Sequence, residues 1–200
     1  MASDTRQQLL DTAEALFAER GFYGVSIAAV ADELGLTKQA LLHHFGSKEK
    51  LYGAVLERIS NSFENQLVRT AQSERDPAGQ LKAYLLALAE DALARPARTQ
   101  LLMRELLDNR RRAELASTWY LQDFLETLIG RVRAIPRWTH ASEAEAFCCV
   151  YQLLGAINYF AISQPTLGGI FGDERSFEFA AAFPQVLAGL IDSALDREHR

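Results

Sequence analysis

Residues 26–48, Ser-Ile-Ala-Ala-Val-Ala-Asp-Glu-Leu-Gly-Leu-Thr-Lys-Gln-Ala-Leu-Leu-His-His-Phe-Gly-Ser-Lys, are the stretch on which the reading of this chain turns. Ile27, Val30, Ala31 and Leu34 recur at the spacing of one helical face, and Gly35 follows where a backbone with φ above zero is easiest. Thr37 is placed to cap a second helix, in which Leu41, with Leu42 and Phe45 beside it, faces inward. Lys38, Gln39, His43 and His44 are left to point outward. Residues from about 26 to 45 thus read as a helix-turn-helix whose outer face is suited to reading DNA.

On the N-terminal side, residues 4–20 form an amphipathic helix with Leu9, Leu10, Ala13, Leu16 and Phe17 on one side, ended by Gly21. Phe22 and Val25 are free to pack on the motif, and Ser26 is placed as the N-cap of its first helix. On the C-terminal side, Gly46 makes a break, and Ser47 starts a long helix through Leu51, Val55, Ile59, Phe63 and Leu67 that bridges the two halves of the chain. Asp76 and Pro77 open a helix to about Arg95, with a break at Pro96. Helices from about 98 to 109 and 111 to 135 follow, the latter stopped by Pro136, and Arg110, Arg111 and Arg112 at their junction read as a solvated helix start. Ser142 and Glu145 have capping-box spacing, and from Phe147 to Ile162 only Gln152 and Asn158 are clearly polar. A helix so apolar all round needs cover on more than one face, from its own domain and from a partner chain. Pro165, Gly168, Gly169 and Gly172 read as a loop before a last helix over 175–194, kinked by Pro184.

The expected class is all-α: with 48% hydrophobic residues in 200, a real core is affordable, and no β-branched alternation occurs anywhere. The division expected is a DNA-binding unit over 1–50 and a larger helical unit over 51–200. The formal charge of −5 argues against coating nucleic acid by bulk electrostatics. Between residues 37 and 50, however, Lys38, Lys48, Lys50, His43 and His44 stand against Glu49 alone, so positive charge is concentrated on the proposed reading helix. Cys148 and Cys149 are neighbours that helix geometry keeps from bridging, and they read as reduced core residues. No signal-peptide run and no run approaching about 20 apolar residues is seen, so the expectation is a cytoplasmic protein without a membrane segment. Glu-x-x-His and His-x-x-x-His pairs, a nucleophile motif and a Gly-rich phosphate loop are all missing, which speaks against an enzyme and leaves no catalytic residue, metal or cofactor to name. His43 and His44 diverge by about 100° on a helix and do not easily share a metal.

Residues 4 to about 63 resemble the DNA-binding domain of the TetR family of bacterial transcriptional regulators. The resemblance rests on the apolar first helix, Gly21-Phe22, Ile27 with Val30-Ala31, Leu34-Gly35-Leu36, Leu41, Phe45, Ser47-Lys48 and Leu51. It implies DNA contacts from Ser26, Thr37, Lys38, Gln39, His43, His44 and Lys48. By chemistry, Gln39 can pair with an adenine edge, Lys38 can reach a guanine or a phosphate, and Thr37 can donate to a phosphate. Lys48, at a helix start, suits a phosphate oxygen. The chain departs from the family at Leu42, where a tyrosine is usual and which cannot hydrogen-bond to phosphate; either that contact is lost or His44 supplies it. The resemblance further implies a C-terminal domain that binds a small effector and forms a homodimer through helices about 142–163 and 176–194. The function implied is a ligand-released repressor bound as a homodimer to a palindromic operator in double-stranded DNA. An effector pocket is expected among the fifth to eighth helices, lined by some of Tyr84, Leu88, Met103, Leu107, Trp119, Tyr120, Phe124, Tyr151 and Tyr159, with an apolar or aromatic compound as the default ligand. The rival reading is a helical adaptor with weak or no DNA binding, to which the missing tyrosine gives some support.

Overall fold

The structure, a computed structural model, describes residues 2–72, 76–112 and 121–196, and the side chains of 4–72, 76–107 and 121–196. It is all-α, in the order α1 (Ala2–Gly24), α2 (Ile27–Asp32), α3 (Lys38–Phe45), α4 (Lys48–Ala71), α5 (Pro77–Ala94), α6 (Pro96–Arg112), α7 (Gln122–Arg133), a 3-10 turn (Pro136–Trp138), α8 (Glu143–Phe171) and α9 (Asp173–Leu195). Several starts are chemically marked. Ser26, Thr37 and Asp76 accept hydrogen bonds from backbone N–H groups of the first turns of α2, α3 and α5, and Ser142 and Glu145 close a reciprocal capping box on α8.

Two compact units form, one from residues 1–61 with 97–120 and one from 62–96 with 121–200. The division therefore falls inside α4, not at residue 50, and α6 belongs with the first unit. Named contacts give the reason. Arg58 of α4 bonds Asp11 and Glu14 of α1, both at 2.5 Å, and Arg98 of α6 reaches the other oxygen of Glu14 at 3.3 Å. The Tyr52 hydroxyl donates to Glu105 at 2.7 Å, and Arg104 donates to the Glu19 carbonyl. Around these lies an apolar core of Leu9, Phe17, Val30, Leu41, Leu51, Val55, Ile59 and Leu101. In the second unit α5, α7, α8 and α9 pack on one another about Leu81, Tyr84, Leu128, Val150, Leu153, Ile157 and Ile191. Trp138 ties the 3-10 turn to the end of α9 by donating to the Leu195 carbonyl at 3.0 Å.

Several sequence-based expectations are corrected. Gly21 does turn the chain (φ 70°, ψ 171°), yet helical residues resume to Gly24. Pro96 opens α6 and does not break it off, because a first-turn proline has no hydrogen bond to lose; the interruption lies at Arg95 (φ −130°, ψ 64°). Of the helix expected over 111–135, the span Gln122–Arg133 is α7, and residues 113–120 lie outside those described. The loop expected at Pro165, Gly168 and Gly169 is helix: α8 runs to Phe171, and Gly172 alone (φ 81°) separates it from α9. The poor intrinsic propensity of these residues does not end the helix, although Pro165, Gly169, Ile170 and Phe171 are exposed. Cys149 is buried as expected, but Cys148 is exposed, since neighbours on a helix point about 100° apart. By length and composition α8 also meets the demands of a membrane span, against the expectation of none. In the second unit α8 packs on α5, α7 and α9, with 33% of its apolar stretch buried.

Candidate nucleic-acid interface

The proposed reading helix α3 is fixed at both ends by backbone chemistry. Thr37 Oγ1 accepts from the Ala40 N–H at 3.2 Å, and Gly46 closes the helix by donating to the Leu42 carbonyl at 2.7 Å with φ 78°. Gly35 (φ 63°) makes the turn between α2 and α3. Leu41 and Phe45 are buried, and Leu42 is half-buried. Arg6 of α1 lies over the Phe45 ring at 5.1 Å, a second hold on the helix that no local pattern signals.

Fixing the inner face determines the outer one. Lys38, Gln39 and His43 are exposed and His44 is half-exposed, so the residues singled out from sequence share an open face of α3. The two imidazoles stand edge-on, 5.9 Å apart at 86°, consistent with their divergence on the helix. Ser26 and Thr37 are exposed caps whose oxygens already accept one backbone N–H each, which leaves their hydroxyl protons available to an acceptor.

Lys48 opens α4 beside this face. Its ammonium lies over the Phe22 ring, 4.4 Å from the centroid, and partial burial holds its pKa below the usual lysine range. Glu49 folds onto the same helix start: its own backbone N–H, then the Ser47 hydroxyl, hold its carboxyl below the usual carboxylate range. The expectation that Lys48 and the free N–H groups of the helix start act together is narrowed accordingly. The Glu49 N–H is taken, and the ammonium is the cation on offer. Phe22, which sequence reading assigned only to packing, here lies under the Lys48 ammonium. Gly21-Phe22 was visible as a pair, but not where its ring would point.

The residues named for an effector pocket do not come together as a set. Tyr84, Leu88 and Phe124 are in the core of the second unit, with Phe124 6.5 Å from Tyr84 and 5.0 Å from Phe63 between ring centroids. Met103 and Leu107 belong to α6 in the first unit, where Leu107 is 81% exposed. Tyr151 and Tyr159 are exposed on α8, and Trp119 and Tyr120 lie outside the described residues. An open cleft of about 410 Å³ between α8 and α9, lined by Gln164, Pro165, Gly168, Asp173, Ser176 and Phe177, includes none of them.

Residues 9–55 match the family model described as bacterial regulatory proteins, tetR family. The chain is similar to the HTH-type transcriptional regulator TtgR of Pseudomonas putida, 33% identical over 101 residues that cover 50% of this chain and 47% of that one. It is similar to the HTH-type transcriptional repressor KstR2 of Rhodococcus jostii, 33% identical over 83 residues that cover 42% and 41%. The chain thus spans about half the length of the curated relatives it matches. Its fold is shared over nearly the full length with the fatty acid degradation regulator FadR of Bacillus halodurans (TM-score 0.68, 14% identity, 93% of each chain). It is shared equally with a TetR-like transcriptional regulator of a Rhodococcus species (TM-score 0.65, 21% identity, 94% of this chain and 92% of that one).

Proposed function

We propose that this chain, a member of the TetR family of bacterial regulatory proteins, is a DNA-binding regulator of transcription that acts in the cytoplasm as a repressor, binds a palindromic operator as a homodimer and is released by a small ligand. The observation that carries the reading is the α3 face. Lys38, Gln39 and His43 stand exposed on a helix whose inner face, caps and turns are all specified, and Lys48 stands at the adjoining helix start. A helix so placed fits a major groove, where Gln39 can take the bidentate geometry of an adenine edge and Lys48 a phosphate. Dimerisation is supported by apolar groups left uncovered on the last two helices, Tyr151 and Tyr159 of α8 and Phe177, Val186 and Leu190 of α9. For the ligand, the support is the aromatic interior of the second unit at Tyr84, Leu88 and Phe124, which suits an apolar or aromatic molecule.

The test is fluorescence anisotropy of the purified chain on a duplex from upstream of its own gene, against a random duplex of equal length, across a salt series. Preference for the upstream duplex with steep salt dependence is expected. Lys48→Ala should weaken both duplexes alike, whereas Gln39→Ala should cost about 5- to 100-fold on the preferred duplex only. Binding that never distinguishes the two duplexes, at any salt, rejects the regulator in favour of a helical adaptor, to which the half-buried, non-bonding Leu42 would then belong.

A further inference from the structure

We propose that Phe22 is a positioning residue for DNA binding, its ring holding the Lys48 ammonium where a phosphate oxygen can meet it. The inference rests on the regulator reading above and assigns a role to a residue outside the helix-turn-helix. A lysine on an open surface is a poor anchor, because its four-carbon stem loses about 2 kcal/mol of rotamer freedom when a contact immobilises it. Here much of that ordering is done before DNA arrives. The ammonium sits 4.4 Å from the Phe22 centroid, within the range at which a ring's quadrupole attracts a cation. Among the described residues no carboxylate lies within ion-pair distance of Lys48, and neighbouring Glu49 is engaged by Ser47 and its own N–H. The ring thus restricts the cation without neutralising it, leaving its donors for an anion.

Phe22 can do this only if it is itself immobile, and it is braced. Gly21, with φ 70°, turns the chain out of the α1 spiral, so that Phe22 projects differently from a continued helix. The ring meets Tyr52 edge-on at 5.1 Å and 75°, and lies 6.2 Å from Phe17. Tyr52 is held in turn by Phe17, edge-on at 4.9 Å, and by its hydroxyl bond to Glu105. The Lys48 ammonium therefore stands on an aromatic stack anchored in the core of the first unit.

The experiment uses the full chain and a labelled random-sequence duplex, because a phosphate contact is independent of sequence. Phe22→Leu keeps an apolar side chain and removes the quadrupole; it should weaken binding about two- to fivefold per half-site, and Phe22→Trp should restore or exceed wild-type affinity. In a Lys48→Ala background Phe22→Leu should add nothing. In the free protein, NMR should find the Lys48 ε-methylene shifted upfield by the ring, and the shift lost in Phe22→Leu. Tighter binding by Phe22→Leu would mean that the ring sequesters the lysine, and overturns the proposal. So does an equal loss in the Lys48→Ala background, which marks a merely structural role, or an ε-methylene without a ring shift, a readout that needs no DNA. A wild-type chain that binds no duplex at any salt overturns the regulator reading and this one together. Wild-type binding that Phe22→Leu leaves unchanged overturns this one alone.

Discussion

Tyr84 is fully buried in the second unit, yet among the described residues its hydroxyl has no hydrogen-bond partner. A buried, unpaired hydroxyl costs about 1–3 kcal/mol, so Tyr84→Phe should raise stability, by about 1 kcal/mol, in urea unfolding of the unliganded chain. A loss of that size instead would show that the hydroxyl is bonded. The same burial pushes the phenol well above its ordinary pKa of 10.0. Because the folded value is raised, the neutral phenol's contribution is complete below pH 10 and is lost as pH rises above it, where only the unfolded chain ionises there. Tyr84→Phe should lack that part of the alkaline decline. From sequence, Tyr84 was named as a candidate lining of an effector pocket; what surrounds its hydroxyl depends on what α7 and α4 bring against it, Phe124 and then Phe63.

At the scale of elements, α6 joins the first unit across a long gap in sequence, and one carboxylate does much of the joining. Glu14 on α1 holds Arg58 of α4 and Arg98 of α6, with the three side chains 13%, 21% and 10% exposed. Glu14→Gln should leave both guanidinium groups under-compensated and cost about 3 kcal/mol, read as a lower urea midpoint at unchanged slope. Asp11, which also meets Arg58 but is 61% exposed, is the contrast, and Asp11→Asn should cost under about 1 kcal/mol. Equal costs would mean that burial is not what makes the Glu14 contacts matter. Helix ends, by comparison, are local matters: Ser26, Thr37, Asp76 and Ser142 cap where their spacing indicates. The exceptions, Pro96 and the run from Pro165 to Gly169, are residues read as breaks that lie inside helices, Pro96 in a first turn where a proline has no hydrogen bond to lose.

For the whole molecule, the open apolar groups of α8 and α9 bear on assembly. If a second copy covers them, a charge at their centre should separate the copies: Val186→Glu with Leu190→Glu should sediment as a monomer with helical content retained. Each monomer would then hold a single half-site, and affinity for a palindromic duplex should fall by about 10²–10⁴ through the lost effective concentration. A wild-type chain that sediments as a monomer at micromolar concentration rejects the dimer, and the apolar face of α8 would then need another occupant.

The sequence by itself determined the class, the helix-turn-helix and its boundaries, because these rest on interactions within a few residues: apolar spacing, a hydroxyl three residues before an N–H, a glycine where φ must be positive. It also determined which side of α3 is open, since packing Leu41 and Phe45 inward leaves Lys38, Gln39 and His43 nowhere else to go. Only the tertiary structure decided that α6 belongs with the first unit, that α8 continues through a proline and two glycines, and that Lys48 stands on Phe22. The first and last join groups tens of residues apart, and α8 continues where local preference points to a break; none of these leaves a period or a spacing in the chain.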